Sequence, residues 1–250
     1  MSLDALQLCA LLASGLIAGF VNTLAGGGSL LTIPALIFVG LPSTIANATN
    51  RVAIVLQSLA GSAGFYRERQ LSVREALGLG IPSLLGSLLG ALVAARIPQR
   101  IFDPILGFLL IGIGATLFVK PRKKEDDGTQ RPAPRVGVFA AFLAIGFYGG
   151  FIQAGVGFFL IAAITWSIGH DLVRTNALKM AVALVYSVVS LLVFMGHGEV
   201  MWFPGLVLAA GNVAGALIGV RFAVKRGAAV VRWIIVAAVI ASALKLFKVF

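Results

Sequence analysis

The chain has 250 residues, of which 59% are hydrophobic and only 12% are charged, and its mean hydropathy is +1.01. This composition excludes a soluble globular domain, which has no use for so much apolar surface at this length. Apolar stretches of about 20 residues recur, and an α-helix needs that length to cross the hydrocarbon core of a bilayer. We therefore predict an all-α, polytopic integral membrane protein.

The formal net charge of +11 does not indicate a nucleic-acid partner. The basic residues lie at segment ends and in one linker, as membrane orientation requires, and they form no patch with interleaved aromatic side chains. The single cysteine, Cys9, excludes an intrachain disulfide and any cysteine-based metal cluster. We predict no nucleic-acid partner, no metal and no cofactor.

Apolar segments follow one another along the chain, five on each side of a charged linker. The linker, residues 120–135, is rich in proline and charge and has no apolar periodicity. It divides a first repeat, 1–119, from a second repeat, 136–250, and both are predicted to be transmembrane. The predicted segments are 5–24, 29–39, 43–66, 72–95 and 99–119, then 136–153, 158–168, 172–195, 200–222 and 231–249.

The second segment of each half, 29–39 or 158–168, is too short to span a membrane. Eleven residues of helix cover about 16 Å, roughly half the hydrocarbon thickness. A glycine-rich break, 26–28 or 155–157, precedes each of them. We predict that the first two segments of each repeat form a broken helical hairpin that turns inside the protein, where irregular backbone must be buried or line a wet cavity. Three transmembrane helices complete each repeat.

An offset of 129 residues superimposes the rare polar and glycine positions of the two halves. The matched pairs include Gly26 with Gly155, Gly28 with Gly157, Asn47 with Asn176 and Ser58 with Ser187. In a membrane protein, a duplicated unit with glycine breaks at matching places indicates a transporter whose site lies between the halves.

The positions of Lys and Arg predict that the two repeats are inverted relative to each other. The basic linker is expected in the cytoplasm. Arg67, Arg69 and Arg74 predict that the turn after the third segment lies on the same side. The equivalent turn of the second half, 196–199, has no Lys or Arg and is predicted outside. Equivalent turns therefore lie on opposite sides of the membrane, with both termini outside.

The third segment of each half carries a polar stripe, which the helical period places within about a third of the circumference. Its members are Asn47, Asn50, Arg51, Gln57 and Ser58 in the first copy and Asn176, Lys179, Tyr186 and Ser187 in the second. We expect the stripe to face the protein interior. Arg51 and Lys179 lie about 12 Å into their helices, where a cation is normally kept for a partner or a substrate. Snorkelling of these long side chains to an interface is the alternative.

The sign of the charge on the predicted ligand follows from the positions of the acidic residues, which all fall in segment ends or loops. Cation transporters and carboxylate proton relays need an intramembrane acid. Backbone N–H groups at the starts of the short half-helices attract negative charge and suit a small oxyanion, unless the glycines only permit tight turns. The predicted substrate-binding residues are Gly26, Gly27, Gly28, Ser29, Asn47, Asn50, Arg51, Ser58, Gln153, Gly155, Gly157, Asn176, Lys179, Tyr186 and Ser187.

Two motif runs resemble the TauE/SafE family of sulfite exporters, and together they cover nearly the whole chain. The first is Gly19-Phe20-Val21-Asn22-Thr23-Leu24-Ala25-Gly26-Gly27-Gly28, followed by Pro34, Gly40-Leu41-Pro42 and Ala46-Asn47-Ala48-Thr49-Asn50. The second is Gly149-Gly150-Phe151-Ile152-Gln153-Ala154-Gly155-Val156-Gly157 with Asn176-Ala177-Leu178-Lys179. The resemblance implies a multi-pass permease of the bacterial cytoplasmic (inner) membrane that exports sulfite, organosulfonates or related small anions.

We predict a secondary carrier that moves a small anion by alternating access between the inverted repeats. Its expected partners are the anion and the lipid bilayer, and a homodimer is left open. Two alternatives remain, an anion channel of the same topology and a non-transporting membrane component such as an assembly or sensor subunit. No nucleophile, carboxylate pair or metal-ligand spacing lies inside the predicted spans, so we expect neither a catalytic residue nor an enzymatic activity.

Overall fold

The computed structural model describes residues 3–116 and 134–246, and every regular element within these ranges is an α-helix. The predicted linker 120–135 lies outside the described residues, apart from its last two positions. The helices are α1 (Ala5–Ala25), α2 (Ser29–Phe38), α3 (Ser43–Arg67), α4 (Val73–Ala94), α5 (Gln99–Thr116), α6 (Arg135–Phe151), α7 (Val156–Ile168), α8 (Leu172–Gly196) and α9 (Trp202–Leu246).

The all-helical membrane architecture predicted from the sequence is confirmed. Within the described ranges, four helices are long and apolar enough to cross a bilayer, and they are α1, α4, α8 and the part of α9 from Trp202 to Lys225. α2, α6 and α7 are apolar but shorter. α3 has 25 residues but carries the first polar stripe, and all five residues of that stripe are buried inside the protein.

The end of the chain differs from the prediction of two segments, 200–222 and 231–249. α9 runs without interruption from Trp202 to Leu246, and its 45 residues include the expected turn at 223–230. No proline follows Pro204 in this stretch, and the expected turn contains a single glycine among Ala, Val, Lys and Arg. Most of these residues favour helix, so nothing local terminates α9.

Each half opens with the predicted broken hairpin. α1 ends at Gly26, whose φ of +90° is left-handed backbone that favours glycine, and α2 begins at Ser29. α2 has 10 residues, about 15 Å of helix, and therefore crosses only part of a bilayer. In the second half α6 ends at Phe151, and the non-helical stretch lasts until Gly155, with a φ of +71°.

The helices pack into two bundles that do not coincide with the two halves of the sequence. The first bundle contains α1, α2, α3, α5 and α9, and the second contains α4, α6, α7 and α8. Each half thus sends its fourth helix into the bundle of the other half. The pairings match, because α1 packs on α9 as α6 packs on α4, and α3 packs on α9 as α8 packs on α4. α3 and α8 meet at the junction of the bundles.

α3 and α8 run antiparallel where they meet. Near the start of α3, the Arg51 guanidinium lies 5.4 Å from the ring centre of Phe194, which is close to the end of α8. Near the end of α3, a Cβ atom on Gly61 would lie 2.4 Å from the methyl carbon of Met180, in the first third of α8. The turns that follow the two helices therefore lie at opposite ends of the molecule.

Glycines at four-residue spacing join the two halves of the chain. A Cβ atom on Gly86 would lie 2.0 Å from the carbonyl oxygen of Leu143, so α4 and α6 touch backbone to backbone. Gly215 has the same relation to Leu16, at 2.1 Å, between α9 and α1. Small residues at this spacing let helix backbones approach closely in lipid. The α4–α6 contact lies within the second bundle and the α9–α1 contact within the first. Each contact therefore holds its own bundle together and does not lie between the bundles.

Candidate functional site

The two glycine breaks meet at the centre of the molecule. A Cβ atom on Gly26 would lie 2.4 Å from the carbonyl carbon of Gly157, and one on Gly157 would lie 2.2 Å from the Cα atom of Gly26. Neither position has room for a side chain, because the facing atoms belong to the backbone. The breaks of the two bundles are therefore in direct contact.

An asparagine from each half caps the broken helix of the other half. Asn47 Nδ2 donates to the carbonyl oxygen of Phe151, the last residue of α6, at 3.0 Å. Asn176 Nδ2 donates to the carbonyl oxygen of Leu24, near the end of α1, also at 3.0 Å. The last carbonyls of a helix have no partner within that helix. Each asparagine therefore supplies a hydrogen-bond donor to a carbonyl oxygen at one of the two breaks.

Lys179 binds the same end of α1. Its Nζ atom donates to the carbonyl oxygens of Asn22 and Thr23 at 2.5 and 3.1 Å and to Asn176 Oδ1 at 2.7 Å. The ammonium group has three donors, and each has an acceptor. The carbonyl end of a helix carries a partial negative charge, which a cation stabilises. Lys179 is thus buried but fully paired.

Arg51 does for α6 what Lys179 does for α1. Its guanidinium donates to the carbonyl oxygens of Gly149 and Gly150, the latter at 2.9 Å, and to Gln153 Oε1 at 2.5 Å. Ser190 Oγ lies 3.3 Å from Nη1, the nitrogen that also faces Gly149 and Gln153. Both cations bind carbonyls near the end of the first helix of the other half, but neither set is aligned by the repeat, which pairs Lys179 with Asn50 and the carbonyls of Asn22 and Thr23 with those of Phe151 and Ile152.

With the carbonyl ends capped, the amide ends of α2 and α7 remain open. The N–H groups of Gly27, Gly28 and Ser29 donate to no backbone carbonyl in the described part of the chain, and neither do those of Gly155 and Gly157. The starts of helices carry partial positive charge and unpaired N–H groups, which together form an anion-binding site. The junction therefore presents two such starts, one from each half.

A small cavity lies at this junction. Its volume is about 10 Å³, which is room for one water molecule. Both bundles contribute to its wall. The lining residues are Asn22, Gly26, Ser29, Ile54, Gln153, Gly157, Leu160, Lys179, Met180, Ala183 and Tyr186.

The structure divides the predicted site residues into groups. Six line the cavity, and they are Gly26, Ser29, Gln153, Gly157, Lys179 and Tyr186. Gln153 Nε2 also donates to the hydroxyl of Tyr186 at 2.9 Å, which fixes the extended stretch against α8. Gly27, Gly28 and Gly155 lie in the breaks beside the cavity. Asn47, Arg51 and Asn176 hold the helix ends and do not line it.

The remaining predicted residues, Asn50, Ser58 and Ser187, are buried side chains outside the cavity wall. Their polar atoms have no hydrogen-bond partner in the described part of the chain, and the same holds for the amide of Gln57. Buried polar groups normally have partners. These four side chains are therefore open to a ligand or water that reaches the α3–α8 junction.

Sequence reasoning missed Asn22, which lines the cavity and whose carbonyl oxygen binds Lys179. Its position one turn before the glycine break was the available signal, because the last turn of a broken helix presents its carbonyls to the centre. The partnership with Lys179 had no sequence signal. It joins a backbone atom to a side chain 157 residues away.

A second, charged pocket of about 200 Å³ opens at one end of the molecule, between the α3–α4 turn and the α7–α8 loop. His170 Nε2 lies 2.9 Å from Glu75 Oε2 within it. The 129-residue offset aligns His170 and Arg174 with Leu41 and Ile45, so the other end of the molecule has apolar side chains at these positions. The pocket is lined by Arg69, Gln70, Leu71, Ser72, Glu75, His170, Arg174 and Leu178.

Broken helices that meet at the centre of an apolar bundle, with polar groups from both halves, define a polytopic membrane transporter. The chain belongs to the sulfite exporter TauE/SafE family, whose model matches residues 11–246. No solved structure matches the chain.

Curated relatives carry names of the same class. A "Probable membrane transporter protein" of Haemophilus influenzae is 31% identical over 222 residues, which cover 89% of this chain and 87% of the relative. "Probable membrane transporter protein ORF9" of Sinorhizobium sp is 31% identical over 94% of this chain and 90% of its own length. "Probable membrane transporter protein YfcA" of Escherichia coli K12 is 30% identical over 88% and 82%, respectively.

Proposed function

We propose that the protein exports sulfite, an organosulfonate or a related small anion across the bacterial cytoplasmic membrane by alternating access. The observation that carries this proposal is the contact between Gly26 and Gly157, which brings two open helix starts to one point. Two partial positive charges and a set of free N–H groups converge there. A small oxyanion fits this site because its negative charge complements the partial positive charges and its oxygens can accept hydrogen bonds from the N–H groups.

The two buried cations favour an anion without binding it directly in this conformation. The donors of Lys179 are all used by oxygens of α1 and α8. Their positive charge nevertheless acts at the junction, where the low dielectric strengthens it. We propose that the N–H groups of the breaks and Ser29 contact the anion first, and that Asn50, Ser58 and Ser187 become available as the site opens.

Support for a carrier, as opposed to a channel, comes from the size of the cavity. A volume of about 10 Å³ is too small for sulfite. The bundles must therefore separate for the anion to bind, and opening to one side at a time is alternating access. We propose that the Asn47–α6 and Asn176–α1 bonds, which join the bundles, break and re-form during this motion.

We propose an inverted topology for the two halves. It is supported by the antiparallel contact of α3 with α8, whose sequences are copies of each other. It is also supported by charge, because the turn at the end of α3 contains Arg67 and Arg69 whereas the turn after α8 contains no Lys or Arg. The α3 turn would then face the cytoplasm.

The charged pocket supports entry of the anion from the cytoplasm. In the proposed topology it faces the cytoplasm, where Arg69 and Arg174 would raise the local concentration of the anion. At the opposite end of the molecule, the 129-residue offset places Ile45 at the position that matches Arg174. Anions would therefore be captured from the cytoplasm at this pocket.

The test is transport of radiolabelled sulfite by the purified protein in proteoliposomes. We expect a flux that saturates with sulfite concentration and is absent from protein-free liposomes. Taurine and other sulfonates added as competitors would then rank the substrates. A protein that is folded but neither binds nor moves any of these anions would support the non-transporting alternative.

A further inference from the structure

The ammonium group of Lys179 is surrounded by three oxygen atoms. Two are backbone carbonyls of α1, from Asn22 and Thr23, and the third is the side-chain oxygen of Asn176. The distances from Nζ lie between 2.5 and 3.1 Å. No carboxylate takes part in these three contacts. The positive charge of Lys179 is thus stabilised by three neutral oxygens, two of them at the carbonyl end of α1.

Neutral oxygens at such distances are the ligands of a small monovalent cation. Carbonyl oxygens replace the water shell of K⁺ in channel filters. In transporters with broken helices, the carbonyl ends of half-helices coordinate the Na⁺ that accompanies a substrate. The three oxygens around Lys179 occupy this place in the hairpin, at the end of α1 and beside the glycine break.

We propose that the oxygens of Asn22, Thr23 and Asn176 form a monovalent-cation site, and that Lys179 fills this site with a cation attached to the protein. The site then never needs to bind or release a free ion. Together with the proposed function, on which this consequence rests, it follows that anion transport requires neither Na⁺ nor K⁺.

The matching site in the other half has a different shape. Arg51 reaches the carbonyls of Gly149 and Gly150 through two separate nitrogens, and Gln153 and Ser190 complete its contacts. This set suits a planar fork of donors and not a point charge. Arg51 therefore supplies a control for the proposal, because each cavity left by truncation should accept only a cation of its own shape.

The experiment is chemical rescue of the Lys179→Ala variant by added cations. The rescue is measured as a change in the melting temperature of the purified protein in detergent. We expect the melting temperature to rise when choline chloride is replaced by ammonium or methylammonium chloride. A site filled at ten times its dissociation constant would raise the melting temperature by about 3–6 °C. K⁺ and Na⁺ should act in the same direction. The wild-type protein should show no such response.

Two further variants separate site filling from general salt effects. Lys179→Met keeps the side-chain volume without the charge, so its melting temperature should not respond to ammonium. Arg51→Ala should respond to guanidinium at sub-denaturing concentration and not to methylammonium, and Lys179→Ala should show the reverse preference. Equal responses of Lys179→Ala and Lys179→Met, or the absence of any response in Lys179→Ala, would overturn the proposal.

Folding and transport outcomes remain distinguishable. A Lys179→Ala protein that aggregates in choline but stays folded in methylammonium supports the site, whereas aggregation in both overturns it. Sulfite flux through the wild-type protein should be equal in sodium, potassium and choline buffers, and a requirement for Na⁺ or K⁺ contradicts the inference. If the wild-type protein moves no sulfite in any buffer, the proposed function fails, while the melting experiment still decides the cation site.

Discussion

Gly157 and Gly26 lie backbone to backbone, so that a Cβ atom on Gly157 would stand 2.2 Å from the Cα atom of Gly26. This contact joins the break in the first bundle to the break in the second. It also brings together the starts of α2 and α7, whose N–H groups are open. The close approach of the two glycines therefore determines both the geometry of the junction and its preference for negative charge.

Replacing Gly157 by alanine should abolish transport, because the added methyl group would push the two breaks apart. The facing atoms are backbone atoms and cannot turn aside. Sulfite flux in proteoliposomes measures the effect. Gly78→Ala is the matched control, since nothing lies within 4 Å of its added Cβ atom, and it should keep normal flux while stabilising α4 by up to about 1 kcal/mol. Normal flux in Gly157→Ala would contradict the role of the contact.

Arg51→Lys should destabilise the protein despite keeping the charge. A single ammonium cannot reach the partners that Arg51 binds through separate nitrogens, the carbonyls of Gly149 and Gly150 among them. Each buried acceptor left without a donor costs about 1–3 kcal/mol. Thermal unfolding in detergent should rank the wild type above Arg51→Lys and Arg51→Lys above Arg51→Ala. An unchanged melting temperature in Arg51→Lys would show that the paired geometry does not matter.

Two asparagines of the polar stripe should behave in opposite ways. Asn176→Leu should lower stability by about 2 kcal/mol or more, since the carbonyl of Leu24 and one donor of Lys179 lose their partner. Asn50→Leu should leave stability unchanged or raise it, because both polar atoms of Asn50 are buried and unpaired. If Asn50 binds the anion, its variant should nevertheless lose transport. Unfolding and flux measured on the same preparations separate the two effects.

Labelling of single cysteines tests the inverted topology. The natural Cys9 is exposed and must be replaced first. Arg69→Cys and His197→Cys then mark the turns that follow α3 and α8. In intact cells a membrane-impermeant maleimide should label His197→Cys, whereas Arg69→Cys should react only after the membrane is opened. Labelling of both positions from the same side would overturn the inversion.

The charged pocket should control the rate of capture of the anion. We expect the double variant Arg69→Gln with Arg174→Gln to reduce flux several-fold at low ionic strength when the pocket side faces the substrate. The difference should shrink at high salt, because exposed charges are screened beyond about 10 Å at 0.1 M ionic strength. The saturating rate should change less than the half-saturation concentration. Equal sensitivity at all salt concentrations would indicate a structural effect instead.

The helices up to α8 were predictable because apolar length, glycine and proline mark their ends locally. Gly26 and Gly155, for example, stand at the breaks with positive φ, as the sequence suggested. α9 was predicted as two segments because its charges resemble a turn, yet nothing in that stretch terminates a helix. The exchange of α4 and α9 between bundles was not predictable, since it depends on close backbone contacts far apart in sequence, such as Gly86 with Leu143.

The polar stripe was predictable as a buried feature but not in its detailed role. Arg51 and Lys179 lie inside the protein and not at an interface, which the alternative of snorkelling would have required. Sequence alone could not show that their partners are backbone carbonyls, because a carbonyl group has no residue signature. It also could not show that Asn47 and Asn176 each cap a helix of the other half, since these contacts cross between the bundles.

The most direct test of the account is counterflow of sulfite in proteoliposomes. Vesicles loaded with unlabelled sulfite should transiently accumulate external labelled sulfite above its equilibrium level, because a carrier returns with bound substrate and a channel does not. We predict such an overshoot for the wild-type protein and for Gly78→Ala, and none for Gly157→Ala. Labelled sulfite that merely equilibrates in all three, or an overshoot that persists in Gly157→Ala, would contradict an anion carrier built on the junction of the two glycine breaks.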